Sequence, residues 1–106
     1  MDEAAYQQHV VAAFRKILKA ADAFDPDILE SDSTGDMLTL TAPQGEKCVV
    51  NTQRAVHQIW VAGKGAGIHF SLDAGGLWKD DKGKGLELLA WVSEVVASMT
   101  GQPLNY

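Results

Sequence analysis

The spacing of the apolar residues changes twice along the chain, and this change constrains the fold more than any other feature. Over residues 2–24 the apolar side chains recur at three- and four-residue steps, as on one face of an amphipathic helix. Over residues 28–81 they alternate with polar ones, and turn residues such as Gly35 separate the runs. Residues 86–100 return to helical spacing, and Gly101 is placed to end that helix.

This order predicts an α/β (α+β) two-layer sandwich, built as a helix, five or six antiparallel strands, and a second helix. Each helix has one apolar stripe, so both are expected to pack on the same face of one sheet. The opposite face is then left uncovered, as antiparallel sheets permit. An edge strand is predicted over Ile28–Asp32, and in the next strand Leu38 and Leu40 face inward. We expect a single domain over residues 1–106.

Charge and cysteine content limit the function classes. The net charge of −5 at pH 7 argues against nucleic-acid binding, which needs a basic face. It permits a basic protein partner or a metal cation, although it can also serve solubility alone. The single cysteine, Cys48, suits a reducing compartment. The first residues carry acids and no basic n-region, and no apolar run reaches the roughly 20 residues of a membrane span. We therefore expect a cytoplasmic protein with no membrane contact.

Catalytic signatures are missing from the sequence. It has no G-x-S-x-G element, no phosphate-binding loop, no dinucleotide-binding glycine pattern and no H-E-x-x-H pair. The histidines His9, His57 and His69 are scattered, and Cys48 lies in an apolar strand, so neither a zinc site nor a nucleophilic thiol is indicated. We expect that the protein is not an enzyme.

Acidic residues crowd the junction between the first helix and the first strand. We call this group the acidic edge: Asp22, Asp25, Asp27, Glu30 and Asp32. Carboxylates repel each other, and hard cations prefer oxygen ligands, so the edge is a candidate metal site, with Asp2 and Glu3 as less secure members. The alternative is an ordinary solvated turn. A second pair, Asp80 and Asp81, is flanked by lysines that are expected to neutralise it.

A tryptophan is predicted on the uncovered face of the sheet. In the segment VVNTQRAVHQIWVAG, residues 49–63, alternation turns Ile59 and Val61 inward and leaves Trp60 beside polar neighbours. An aromatic ring among uncharged hydrogen-bonding side chains is typical of a protein contact site. The candidate contact residues are Asn51, Gln53, Gln58 and Trp60. The alternative is that a loop or neighbouring side chains cover the ring.

The same segment resembles the signature of the frataxin family, in which an N-x-Q element turns into a Q-[IV]-W strand. The segments GDMLTLTAPQGEKCVVN and GIHFSLDAGGLWKDDKGKGLELLAWV agree with the bacterial, CyaY-type branch in the same order. The resemblance covers essentially the whole chain. It implies a two-layer sandwich of two helices against an antiparallel sheet, the architecture that the apolar spacing predicts independently.

The resemblance also implies a function in iron–sulfur cluster assembly. It implies weak iron binding, as Fe(II) or Fe(III), at the acidic edge. It implies docking on the cysteine desulfurase and scaffold machinery through the four contact residues, regulation of cluster formation, and a role as an iron donor. The protein is expected to be a monomer that can self-associate with iron. In one respect the chain departs from the family pattern, because Arg15, Lys16 and Lys19 replace expected acids, which predicts a lower metal capacity.

The alternatives to iron-dependent regulation are a pure interaction module and a ferroxidase. The protein could be a pure interaction module whose acidic edge docks a basic partner, with iron binding incidental. A ferroxidase would need paired irons held in a sheltered pocket by closely placed carboxylates or histidines. The sequence offers an open edge instead, so this alternative ranks below the others.

Overall fold

The computed structural model describes all 106 residues and has the predicted order of helix, strands and helix. Helix α1 spans Glu3–Asp22 and helix α2 spans Leu88–Thr100. The strands between them are β1 (Glu30–Thr34), β2 (Met37–Thr41), β3 (Lys47–Gln53), β4 (Gln58–Gly63), β5 (Ala66–Leu72) and β6 (Trp78–Asp80). A single 3₁₀ turn, Arg54–Val56, joins β3 to β4.

The six strands form one antiparallel sheet in which each strand pairs with the next one in the sequence. The edge strand β1 begins at Glu30, two residues later than predicted. The amide groups of Ile28 and Leu29 donate to the carbonyl of Asp25 at 2.8 and 3.1 Å, so the turn after α1 continues through Leu29. The upper limit of the predicted strand number is confirmed.

The core lies between the sheet and the two helices. One cluster of 22 buried residues joins α1, α2 and the inward positions of the strands. Leu38, Leu40, Ile59 and Val61 are completely buried, as their alternation predicts. Both helices therefore cover the same face, and the two-layer sandwich is confirmed.

Polar side chains fix the helix ends. Asp2 caps α1, because its Oδ1 accepts from the amide of Ala5 at 2.7 Å. The carboxylate of Glu87 caps α2 by accepting from the amides of the second and third helical residues. Gly101 ends α2 with a φ of 81°, a left-handed conformation that glycine adopts without strain. Neither helix combines the length and the apolar content needed to cross a lipid bilayer.

Candidate functional site

The four predicted contact residues meet on the uncovered face of the sheet. In the register of β3 and β4, Asn51 pairs with Trp60, and Gln53 pairs with Gln58. The two pairs have the same parity, so all four side chains point away from the helices. Each of the four is partly exposed. The structure therefore gathers into one patch residues that are up to nine positions apart in the sequence.

The indole of Trp60 lies over Gly67 on the neighbouring strand β5. A Cβ atom added to Gly67 would stand 2.9 Å from Nε1 of Trp60 and 3.0 Å from its Cζ2. The absence of a side chain at Gly67 therefore leaves the space that the ring occupies. The ring is partly exposed and borders an open cleft of about 620 Å³. Trp60 is thus placed across the sheet surface and is available for contact.

Three residues that the sequence did not assign to the contact site extend the uncovered face beyond Trp60. His69 is the cross-strand partner of Trp60, and the two ring centroids are 6.4 Å apart. The amide nitrogen of Gln58 donates to Ser71 Oγ at 3.0 Å and to Asp81 Oδ2 at 3.4 Å. Alternation predicts that His69 and Ser71 point outward, but only the register between β4 and β5 places them beside the contact residues.

The N-terminal end of α1 supports the turn that carries this patch. Tyr6 is completely buried, and its hydroxyl donates to the carbonyl of Gln58 at 2.7 Å. The ring of His57 stacks on Tyr6 at a centroid distance of 4.9 Å, and His57 holds a left-handed φ of 53°. Its Nε2 lies 3.3 Å from Oε2 of Glu3. Glu3, a less secure candidate for metal binding, therefore faces the 3₁₀ turn.

The acidic edge is open and is not neutralised by basic side chains. None of its five carboxylates takes part in the three ion pairs of the structure, Arg54–Asp36, His57–Glu3 and Lys64–Glu94. Its members are all exposed: Asp22 at the end of α1, Asp25 and Asp27 in the following turn, Glu30 and Asp32 in β1. Its carboxylates accept local hydrogen bonds, among them those from Ser31 Oγ to Asp22 Oδ1 at 3.1 Å and from the amide of Asp27 to Asp25 Oδ1 at 2.9 Å.

The structure separates Asp2 and Glu3 from the acidic edge. They stand at the start of α1, whereas Asp22 is its last residue. A helix of this length separates its two ends by about 29 Å at 1.5 Å per residue. Asp2 is moreover engaged as the N-cap of α1. The seven predicted metal-binding residues thus form two groups at opposite ends of one helix.

The acidic edge contains no preformed chelate. No three His, Cys, Asp or Glu side chains anywhere in the chain are arranged to enclose a metal ion. Glu30 and Asp32 each present one exposed carboxylate, so a cation here would keep much of its hydration shell. The arrangement suits weak, exchangeable cation binding or contact with a basic surface.

The two members of the acidic edge that lie in β1, Glu30 and Asp32, share one face of the sheet with the contact patch. By register Asp32 pairs with Thr39, Thr39 with Val49, and Val49 with Ala62, which is two residues beyond Trp60. β1 and β4 are three strand spacings apart, or about 14 Å. A single partner surface can therefore span both the carboxylates of β1 and the indole of Trp60.

The prediction that lysines neutralise Asp80 and Asp81 is wrong, since neither aspartate forms an ion pair. Asp80 is buried, and its carboxylate accepts from the amides of Lys84 at 2.8 Å, Leu86 at 2.7 Å and Lys82 at 3.2 Å. These hydrogen bonds, that from Lys84 first, lower the pKa of Asp80 below its usual value although burial opposes them. Asp80 therefore organises the loop between β6 and α2.

Comparison with known proteins identifies a matching family and similar proteins. Residues 1–102 match the family model of the frataxin-like domain. A protein of Paraburkholderia xenovorans named iron-sulfur cluster assembly protein CyaY is 34% identical over 106 residues, covering all of this chain and 98% of that protein. A protein of the same name from Cupriavidus metallidurans is 40% identical over 86 residues, covering 81% of this chain and 75% of its own.

Two solved structures are similar in fold. Frataxin from Psychromonas ingrahamii, studied within the CyaY protein family, superposes with a TM-score of 0.88 at 26% identity, covering 99% of this chain and 97% of that one. Trimeric frataxin from Saccharomyces cerevisiae, described as complexed with ferrous iron, gives a TM-score of 0.64 at 24% identity, covering 96% and 88%. The likeness to the yeast protein concerns the fold alone.

Proposed function

Because the chain belongs to the frataxin family, in its bacterial CyaY-type branch, we propose that it acts in iron–sulfur cluster assembly. In this proposal it docks on the cysteine desulfurase of the assembly machinery and regulates the rate of cluster formation. It works as a binding protein and not as an enzyme. The names of its curated relatives support the process, and the uncovered sheet face supports the docking.

The observation that carries the docking proposal is the continuity of the acidic edge with the contact patch. Glu30 and Asp32 share the exposed face of Trp60, Asn51 and Gln53. A basic surface on the partner is attracted to the unpaired carboxylates, while the indole becomes buried and supplies the apolar contact. The carboxylates of the acidic edge should therefore control the association rate and its sensitivity to salt, and Trp60 should control the lifetime of the complex.

Iron is proposed as a cargo that the acidic edge gathers and releases. Exposed single carboxylates bind Fe(II) weakly, which suits transfer to the scaffold on which a cluster is built. The exposed carboxylates, which form no ion pair, support this part of the proposal, and the yeast protein of similar fold is described as a ferrous complex. Without iron the protein is proposed to be a monomer, and bridging of carboxylates by iron would cause self-association.

Binding to purified cysteine desulfurase tests the docking proposal. Calorimetric titration at low and at moderate salt should show an affinity that falls with salt and that Trp60→Ala lowers by at least about tenfold. The matched control is Trp91→Ala, which removes a second partly buried tryptophan from α2 on the helix layer. Equal losses for both variants, or an affinity independent of salt, would count against the proposed surface.

A pure interaction module is the second candidate, and the lack of a three-ligand group favours it. In this version the acidic edge only steers a basic partner. Titration of Fe(II) into the ¹⁵N-labelled protein separates the two candidates. Paramagnetic broadening concentrated on residues 22–32 supports iron binding at the edge, whereas even broadening along the chain supports the interaction module.

A further inference from the structure

A groove runs along the side of α1 that faces the tip of the β1–β2 hairpin. Its volume is about 510 Å³, and its apolar part is formed by Val10, Val11, Phe14 and Leu18. Val11 is 48% exposed, whereas Val10 and Phe14 in the same groove are buried. This α1 groove belongs to neither the acidic edge nor the contact patch, although Asp22 stands at one end of it.

The free charges that line the α1 groove are mainly positive. Arg15 and Lys19 are exposed and form none of the three ion pairs of the structure. The carboxylate of Asp36, on the opposite wall, is paired with Arg54 at 3.2 Å. In a chain of net charge −5, this groove therefore presents two unpaired cations beside an apolar floor, with the unpaired carboxylate of Asp22 at its end.

A buried hydroxyl without a partner lies in the wall of the groove. Thr52 Oγ1 is shielded from solvent and makes no hydrogen bond. The amide of the same residue donates to the carbonyl of Asp36 at 3.0 Å, which fixes its position. Buried polar atoms normally have a hydrogen-bond partner. This hydroxyl has none within the chain, so it can form a hydrogen bond with a ligand in the groove.

The length of the groove indicates the kind of ligand. Its lining along α1 extends from Gln7 to Asp22, a distance of about 22 Å at 1.5 Å per residue. This matches an extended peptide of about six or seven residues. The groove is also open along its length, whereas small-molecule sites enclose most of the ligand surface.

We propose that the α1 groove is a second docking site that takes an acidic segment of a protein partner. Aliphatic side chains of the segment contact Val11 and Leu18, its carboxylates pair with Arg15 and Lys19, and a polar group of its backbone bonds to Thr52. The site is opposite in charge to the acidic edge. It would allow the protein to hold a basic partner on the sheet and an acidic partner on the helix layer at the same time.

A peptide titration followed by amide chemical shifts tests this proposal. The probe is a synthetic peptide of about ten residues in which leucine and glutamate alternate, added to the full ¹⁵N-labelled chain. Shifts should be confined to α1 and to Gly35, Asp36 and Thr52, with saturation below millimolar peptide. No shifts up to that concentration, or shifts centred on the sheet face, would overturn the proposal.

Variants of matched charge show whether the two cations carry the binding. The double change Arg15→Glu and Lys19→Glu should weaken the peptide at least tenfold. Lys16→Glu, which alters a neighbouring lysine outside the groove, should change the affinity less than twofold. Equal weakening by the control would show a general charge effect and overturn the site. Trp60→Ala should leave peptide binding intact, which separates this site from the desulfurase surface.

Two further comparisons identify the ligand class. A peptide of alternating leucine and lysine, and one of serine and glutamate, should both bind at least tenfold more weakly. Octanoate is the small-molecule probe, and binding as tight as that of the peptide would overturn the assignment to a protein segment. Thr52→Val should lower the peptide affinity several-fold without lowering thermal stability, because it removes a buried hydroxyl that has no partner in the free protein. Unchanged affinity in this variant would overturn the role of Thr52.

Discussion

The hydroxyl of Tyr6 in α1 donates a 2.7 Å hydrogen bond to the carbonyl of Gln58, 52 residues further along the chain. Gln58 is the first residue of β4, the strand that carries Trp60. Burial raises the pKa of Tyr6, so its hydroxyl remains a donor at and well above neutral pH. The helix layer therefore fixes the start of the strand whose other face is proposed to bind the partner.

Tyr6→Phe is expected to loosen this connection. It removes the donor and leaves the carbonyl of Gln58 without it, which should lower the free energy of unfolding by about 1 kcal/mol. Urea denaturation measures this loss. Desulfurase affinity should also fall, because the turn before β4 becomes more mobile. Tyr106→Phe is the control, since it removes a 2.7 Å bond to Leu89 in the helix layer and should leave affinity unchanged.

Gly67→Ala is expected to displace the indole of Trp60. The new methyl group would stand 2.9 Å from Nε1, a contact that the ring can relieve only by moving. Desulfurase affinity should fall several-fold and the tryptophan emission should shift. In the Trp60→Ala background the same substitution should have little effect. A double-mutant cycle measures this coupling, and additive losses would show that Gly67 does not act through the indole.

Asp80→Asn is expected to destabilise the loop before α2 in a pH-dependent way. The pKa of Asp80 is lowered in the folded state, so its ionised form adds stability above the unfolded pKa of about 3.9. This contribution is lost as the pH falls through the lower folded pKa. Denaturation curves should therefore give a lower free energy of unfolding for the variant than for the unsubstituted protein between pH 5 and pH 8. The two values should converge in stronger acid. A difference independent of pH down to pH 2 would contradict this cause; Asp81→Asn is the control.

Much of the fold follows from the sequence because strand pleating forces alternate residues to opposite faces. This is why Leu38 and Ile59 could be assigned to the core, and Gln58 and Trp60 to the uncovered face, before any register was known. The helix ends are similarly local, since Gly101 terminates α2 through its own backbone conformation.

The remaining features depend on contacts that no local pattern encodes. The lysines beside Asp80 suggested neutralisation, but its partners are backbone amides of a loop that folds around the carboxylate. The bond from Tyr6 to Gln58 joins residues distant in sequence. Likewise, Glu3 is an acidic residue like the members of the acidic edge, and only the length of α1 shows how far it lies from them.

Charge reversal on the acidic edge should change the kinetics of docking more than the lifetime of the complex. Replacing Glu30 and Asp32 by lysine removes the attraction for a basic partner without touching Trp60. The association rate at low salt is expected to fall at least tenfold, while the dissociation rate changes about twofold or less. Stopped-flow fluorescence measures both rates. Glu94→Lys, on α2, is the control for either single reversal, Glu30→Lys or Asp32→Lys; an equal effect there would contradict steering by the edge.

The most direct test of the proposed docking surface is cross-saturation NMR on the labelled protein bound to the cysteine desulfurase. If the uncovered sheet face is the docking surface, saturation transfer will be strongest at Asn51, Gln53, Gln58 and Trp60, extend to Glu30 and Asp32, and be absent from the exposed side of α2. Strong transfer to α2 with none at Trp60 would contradict it.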